Sequence, residues 1–214
     1  MKAAALALLL LAATPSDEVT ITARSVNVAE PGTPLTITIL RWSTDAERAP
    51  ILNALNPPAA PATPARNPGP TEAGRGRAGR GRGRGGAAAI PLSPIAAFTA
   101  ALGRTPTIGY IWTSDITGYS IKYAWHSPQP DGTDRIVVAS DRRLGAYTGA
   151  WKPTATVPDT DYTFTLLELR VGPKGLLEGK TSLANKIAID ADAKTVALEN
   201  YAGAPTSLTP PPRH

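Results

Sequence analysis

Residues 162–201 read YTFTLLELRVGPKGLLEGKTSLANKIAIDADAKTVALENY, and this stretch decides the fold. Apolar and polar residues alternate on either side of Leu166 and Leu167, which is the period of a β-strand with one buried face. The two adjacent leucines break the period, so this strand contains a bulge or is buried on both faces. Turn residues at 172–175 and 190–194 separate three extended segments. Their shared apolar face must be buried against another layer.

The same alternation recurs along the rest of the chain. The further strands predicted from it are 19–23, 35–40, 108–112, 118–125, 135–140 and 144–151. Two helices interrupt them. Thr44 and Glu47 form a capping box that predicts a helix over 45–55, which contains Pro50, and Ser93 and Pro94 begin a second helix that ends near Gly103.

This pattern predicts a mainly β fold. The expected architecture is an antiparallel β-sandwich or an up-and-down barrel of about nine or ten strands with two short helices. An outer-membrane barrel is disfavoured, because segments such as 135–140 are shorter than a tilted span of about 9 to 11 residues.

The N-terminus has the composition of a secretory signal peptide. Lys2 precedes an apolar run at 3–13 that is too short to span a bilayer, which needs roughly 20 residues. We therefore expect a signal peptide at 1–16, a periplasmic or secreted protein, and no transmembrane segment after cleavage. A single β-rich domain is predicted over 17–204, followed by a disordered Pro-rich tail at 205–214.

A low-complexity insert at 56–90 carries the net charge of the protein. It contains six arginines and one glutamate, which account for the whole formal charge of +5. We expect it to be disordered, because it has too few apolar side chains to offset the entropy of ordering. Its Arg-Gly run could tether a polyanion through five arginines: Arg75, Arg77, Arg80, Arg82 and Arg84. Nucleic acid is an improbable partner for an exported protein, so a solvated spacer or contact with anionic envelope surfaces is the preferred interpretation.

The sequence offers no catalytic or metal-binding motif. There is no cysteine, which excludes disulfides, thiolate metal sites and cysteine nucleophiles. His126 lies beside Ser127 and Asp131, but neighbours in one turn rarely form a catalytic triad. Residues 175–181 lack the spacing of a phosphate loop, and the aspartate pairs at 159–161 and 190–192 lack the rest of a calcium loop. We expect no cofactor and no metal; a hydrolase would need an Asp/Glu pair from distant segments.

Aromatic residues are the remaining indication of function. Nine of the twelve aromatic residues lie between positions 110 and 164. Most of such a set is expected to be core and cross-strand pairs. The alternative is an aromatic face or pocket for an apolar or sugar-like ligand. The candidate ligand-binding residues are Tyr110, Trp112, Tyr119, Tyr123, Trp125 and Trp151.

Three segments carry a resemblance to other sequences. RWSTDAER at 41–48, GYIW at 109–112 and VALENYA at 196–202 resemble uncharacterised exported bacterial proteins that have no assigned activity. That resemblance implies no site residues. The leading hypothesis is a non-enzymatic exported β-domain that binds a small ligand or an envelope partner. A polyanion-tethering protein and a hydrolase are the alternatives, and the oligomeric state is left open.

Overall fold

The computed structural model describes residues 18–56, 92–155 and 157–212, and its main feature is a closed antiparallel barrel of eight strands. The ten strands are β1 (Val19–Ser25), β2 (Pro34–Ile39), β3 (Gly109–Trp112), β4 (Tyr119–Pro128), β5 (Asp134–Ser140), β6 (Thr165–Gly172), β7 (Gly175–Thr181), β8 (Ile187–Asp190), β9 (Thr195–Leu198) and β10 (Leu208–Thr209). The order around the barrel is β1-β10-β7-β6-β5-β4-β3-β2, and β8 and β9 form a separate hairpin. The predicted mainly β class is confirmed, and the barrel is the architecture adopted.

The interior of the barrel is a packed core. Inward-facing positions alternate along the strands, and their side chains are buried: Ile21, Leu35, Ile37, Ile111, Tyr119, Ile121, Ile136, Val138, Leu167, Leu169 and Leu208. Eight strands enclose a space just wide enough for side chains or for one small ligand. Here side chains fill that space, so a ligand would have to bind on the outside.

Strand β6 explains the two adjacent leucines of the deciding stretch. Leu167 and Leu169 point into the barrel, whereas Leu166 belongs to a second core on the outside. The strand is therefore buried on both faces. A register irregularity does occur in the β6–β7 pair, but it lies between Arg170 and Val171.

Helices α1 (Asp45–Leu55) and α2 (Pro94–Arg104) and the β8–β9 hairpin cover one side of the barrel. The buried residues of this second core come from the helices, the hairpin and the outer faces of β4, β5 and β6: Ile51, Phe98, Leu102, Tyr123, Val137, Ala139, Leu166, Val196 and Leu198. The helix boundaries agree with the predicted ones except that α2 continues one residue past Gly103. α1 includes Pro50 and continues to Leu55.

The predicted capping box of α1 is present and is reinforced by an arginine. Thr44 and Glu47 exchange hydrogen bonds, and both oxygens of Glu47 also accept hydrogen bonds from Arg41, at 2.7 and 2.8 Å. The Arg41 guanidinium, with smaller contributions from Thr44, lowers the pKa of Glu47 from 4.5 to about 2. This carboxylate therefore stabilises the start of the helix at neutral pH.

Two segments predicted as strands are turns. Residues 144–151 form successive turns, and Leu144, Ala150 and Trp151 are buried in the barrel core. Gly145 has φ +71°, and an added Cβ would lie 2.8 Å from the Cβ of Trp151. The prediction of a strand here is therefore wrong, because the apolar residues of this segment reach the core from turns.

The second extended segment of the deciding stretch also breaks. β7 ends at Thr181, residues 182–186 form a turn, and β8 begins at Ile187. Asn185 is buried in this turn and its amide donates to the carbonyl of Thr181 at 3.0 Å. Asn185, a polar residue between Leu183 and Ile187, therefore provides a hydrogen bond to the end of β7.

The predicted disordered tail at 205–214 contains the strand that closes the barrel. Leu208 is fully buried and pairs with Ser25 on one side and with Gly179 on the other. Gly179 makes this possible, since a Cβ there would lie 3.0 Å from the Cβ of Leu208. The prediction of a disordered tail is wrong at these positions, because a two-residue strand between prolines shows no periodicity.

Other predictions fall on residues that the structure does not describe. The predicted signal peptide at 1–16 lies wholly outside the described residues, and so does nearly all of the 56–90 insert with its five Arg-Gly arginines. Among the helices that are described, none is long and apolar enough to cross a membrane.

Candidate ligand-binding face

The outer surface of β1, β2 and β3 lies outside the part of the barrel wall that the helices and the hairpin cover. Its outward side chains alternate with buried ones such as Ile21, Ile37 and Ile111. We call this surface the open face and define it by six residues: Thr20, Thr22, Thr36, Thr38, Tyr110 and Trp112. The open face thus combines four threonines with two of the six candidate ligand-binding aromatic residues.

The strand register arranges these six side chains in two rows across the sheet. In row one Thr22 pairs with Thr36, which pairs with Trp112. In row two Thr20 pairs with Thr38, which pairs with Tyr110, and Tyr110 pairs with Ser120 of β4. Paired side chains lie about 5 Å apart, and the rows are about 6.6 Å apart because two residues separate them along each strand.

Tyr110 and Trp112 form the aromatic part of the open face. Their side chains are exposed to 40% and 49%, their ring centres lie 6.3 Å apart, and the ring planes differ by 35°. Trp112 packs on the backbone of Gly118, where an added Cβ would lie 3.1 Å from three ring atoms. The Trp112 ring is therefore supported from below while its other face meets solvent.

Close packing between β2 and β3 fixes the position of these rings. Gly109 begins β3 and pairs with Ile39, and an added Cβ there would lie only 2.3 Å from the carbonyl oxygen of Thr38. Any larger residue would push β3 away from β2 and change the register of both rows. A rigid barrel wall thus holds the open face in one arrangement.

A cationic and aromatic group borders the open face beyond Trp112. Arg142 donates a hydrogen bond to the carbonyl of Gly118, and its guanidinium lies 5.0 Å from the ring centre of Tyr119 and 5.7 Å from that of Tyr147. Burial, assisted by a hydrogen bond to Asp115, raises the pKa of Tyr119 to about 12. Tyr119 is therefore a neutral phenol that anchors this border at physiological pH.

The structure separates the six candidate aromatic residues into two groups. Tyr119 and Trp151 are buried in the barrel core, and Tyr123 is buried in the second core with its hydroxyl 2.6 Å from that of Thr195. Trp125 is covered by the guanidinium of Arg48, 3.4 Å from the ring centre. Three of these rings are buried, and Trp125 is half-buried beneath Arg48. Tyr110 and Trp112 are the two that meet solvent on the open face.

Two acidic residues do converge, but an arginine engages both of them. Arg135 donates from Nε to Glu168 at 2.7 Å and from Nη1 to Asp190 at 2.5 Å. The second oxygen of Glu168 accepts the amide N–H of Leu198 at 2.8 Å. Hydrogen bonds from Ala193 and Arg135 lower the pKa of Asp190. The cluster lines a surface cavity of about 440 Å³, and through Arg135 its carboxylates bind the hairpin to the barrel.

His126 does not form the relay considered in the sequence. Its Nδ1 lies 3.4 Å from Asp134, while Asp131 is paired with Arg170 at 2.6 Å. Ser127 follows His126 in β4, so its side chain lies on the opposite face of the strand. Within the part of the chain that the structure describes, no three His, Asp or Glu side chains are grouped to hold a metal ion.

The four threonines of the open face were not predicted as site residues. The sequence feature that could have indicated them is the Thr-Ile-Thr triplet that occurs at 20–22 and again at 36–38, on either side of a turn. No protein-family model, curated protein or solved structure matches this chain. The resemblance to uncharacterised exported bacterial proteins therefore stays a prediction.

Proposed function

We propose that this protein is an exported, non-enzymatic binding domain whose open face binds a polysaccharide. The observation that carries the proposal is the pair of exposed rings, Tyr110 and Trp112, held side by side on a rigid wall next to rows of threonine hydroxyls. The N-terminal composition supports export, and a glycan of the cell envelope or of the surroundings is the corresponding partner.

A sugar ring matches both chemical parts of the open face. One side of a pyranose presents C–H groups that stack on an aromatic ring, and its edge carries hydroxyls that exchange hydrogen bonds with threonine. Tyr110 and Trp112 follow each other along β3, so consecutive sugars of one chain can each stack on a ring. Aromatic side chains supply large contact area at low entropic cost when they are already positioned.

The composition of the open face favours a glycan over a protein partner. Protein interfaces have a core of closely packed apolar and aromatic residues surrounded by a polar rim. Here hydroxyl groups lie directly beside both rings, and Thr36 and Thr38 are the immediate neighbours of Trp112 and Tyr110. A ligand must therefore offer stacking surface and hydrogen-bonding groups at the same positions, as sugars do.

The experiment is a depletion assay with insoluble cellulose, chitin and peptidoglycan sacculi. The full chain is compared with the double variant Tyr110→Ala/Trp112→Ala, and Leu92→Ala is the control because Leu92 is 62% exposed beside the two helices, away from the open face. One stacked ring is worth about 1–3 kcal/mol, so the double variant should bind at least about 30-fold more weakly.

The control variant should bind as the unmodified chain does. Absence of binding to all three polymers would overturn the proposal. Equal binding by the double variant would also overturn it, because it would place the interaction elsewhere on the protein. Circular dichroism of each variant confirms that the exposed substitutions leave the barrel folded.

A further inference from the structure

Tyr147 is a third exposed ring at the same end of the barrel as Trp112. Its side chain is 71% exposed, so it contributes little buried surface to the fold. Because the barrel is antiparallel, the end of β3, the start of β4 and the end of β5 lie together at one end of it. The turns that follow β5 carry Tyr147. They therefore lie at the end of the barrel towards which a line along β3 from Tyr110 to Trp112 points.

Two hydrogen bonds fix the backbone on either side of Tyr147. The N–H of Gly145 donates to the hydroxyl of Tyr119 at 3.0 Å. The hydroxyl of Thr148 donates to Asp115, in the loop between β3 and β4, at 3.2 Å. The turn is thus tied to the start of β4 and to the loop before it. An exposed ring on a fixed backbone loses little conformational freedom when a ligand stacks on it.

Arg142 connects Tyr147 to Trp112. Its guanidinium donates to the carbonyl of Gly118, on which the Trp112 ring packs, and to the hydroxyl of Tyr147 at 3.4 Å. The Arg142 side chain is 31% exposed, and the carboxylate of Asp141, 3.7 Å from its Nε, partly offsets its charge. Arg142 therefore presents hydrogen-bond donors between two exposed rings without leaving a full positive charge there.

From this geometry, and resting on the proposed function, we infer that the glycan site continues past Trp112 onto Arg142 and Tyr147. One polysaccharide chain runs along β3 and over the end of the barrel wall. Tyr110 and Trp112 stack on consecutive sugars, Arg142 donates to hydroxyls of the next part of the chain, and Tyr147 stacks on a sugar further along. The ligand class is a single glycan chain longer than a disaccharide.

The test measures how affinity depends on chain length. Calorimetric titration with cello- and chito-oligosaccharides, from disaccharide to hexasaccharide, and depletion by the insoluble polymers compare the unmodified chain with Tyr147→Ala and Tyr147→Phe. We expect the affinity of the unmodified chain to increase with length. Tyr147→Ala should bind hexasaccharide and polymer at least about fivefold more weakly, whereas Tyr147→Phe, which retains the ring, should bind as the unmodified chain does. Circular dichroism checks that these substitutions of an exposed residue leave the barrel folded.

Three results would overturn the inference. They are equal affinity of the unmodified chain for disaccharide and hexasaccharide, unchanged binding of Tyr147→Ala to every glycan that the unmodified chain binds, and an equal loss in Tyr147→Phe, because stacking does not need the hydroxyl. In each case a loss of binding by Tyr110→Ala/Trp112→Ala would leave the proposed function intact, with the site confined to the open face. Failure of the unmodified chain to bind any of the oligosaccharides or polymers would overturn both.

Discussion

Replacing Arg135 with methionine should strongly destabilise the protein, because this arginine joins the barrel to the β8–β9 hairpin. Its guanidinium contacts Glu168 on the barrel and Asp190 at the end of β8, at 2.7 and 2.5 Å. Glu168 is only 2% exposed. Without Arg135, a buried carboxylate would be left without its counter-charge.

The expected magnitude follows from the burial of the two carboxylates. Removing one partner of a buried ion pair, here Arg135 from Glu168, costs about 3–5 kcal/mol. Loss of the second ion pair, between Arg135 and the 26% exposed Asp190, adds at most about 1 kcal/mol to that cost. The second substitution Glu168→Gln should recover at least about 2 kcal/mol of this loss, because a neutral amide still accepts the N–H of Leu198.

Urea unfolding at pH 7, followed by tryptophan fluorescence, measures these differences. Arg170→Met is the matched control: Arg170 is 42% exposed and pairs with the exposed Asp131, so its loss should cost no more than about 1 kcal/mol. The reasoning would be refuted if Arg135→Met cost no more than this control, or if adding Glu168→Gln made the protein less stable still.

Three further outcomes are expected. Because the pKa of Glu47 is lower in the folded protein, its ionised carboxylate adds stability that is complete above pH 4.5 and is lost as the pH falls towards 2. The difference in melting temperature between the unmodified chain and Glu47→Gln should therefore shrink over that pH range, and a constant difference would contradict the assignment. Gly109→Ala should destabilise by about 1–3 kcal/mol in urea and weaken polymer binding, because its Cβ meets the Thr38 carbonyl; normal stability would contradict the described packing. Deleting residues 207–214 should abolish cooperative thermal unfolding, whereas deleting 210–214, which retains β10, should not; equal behaviour of the two would show that β10 does not close the barrel.

Most strands and both helices could be predicted because they are long enough to show periodicity or capping residues. Barrel closure could not be predicted, since alternation is the same in a sandwich and in a barrel. The closing strand has two residues, and its identity depends on Leu208 filling the space left by Gly179. Such a contact joins parts of the chain that no local pattern connects.

The aromatic residues show why the site was only partly predictable. Tyr119 and Tyr123 lie four residues apart in β4 and would face the same side of a regular strand. A register shift between Ile121 and Tyr123 instead turns Tyr123 to the outside of the barrel. There the helices cover it, whereas Tyr110 and Trp112 point outwards where nothing covers the barrel. The sequence gives no sign of which outer face the helices will occupy, so exposed and buried rings looked alike.

The most direct test of polysaccharide binding by the open face is hydroxyl-radical footprinting of the full chain on crystalline chitin and cellulose. Oxidation rates of Tyr110 and Trp112 are compared between free and polymer-bound protein, with Leu92, which is 62% exposed beside the two helices, as internal reference. We predict that binding lowers the rates of Tyr110 and Trp112 several-fold and leaves that of Leu92 nearly unchanged. Unaltered oxidation of Tyr110 and Trp112 in bound protein would contradict the proposal.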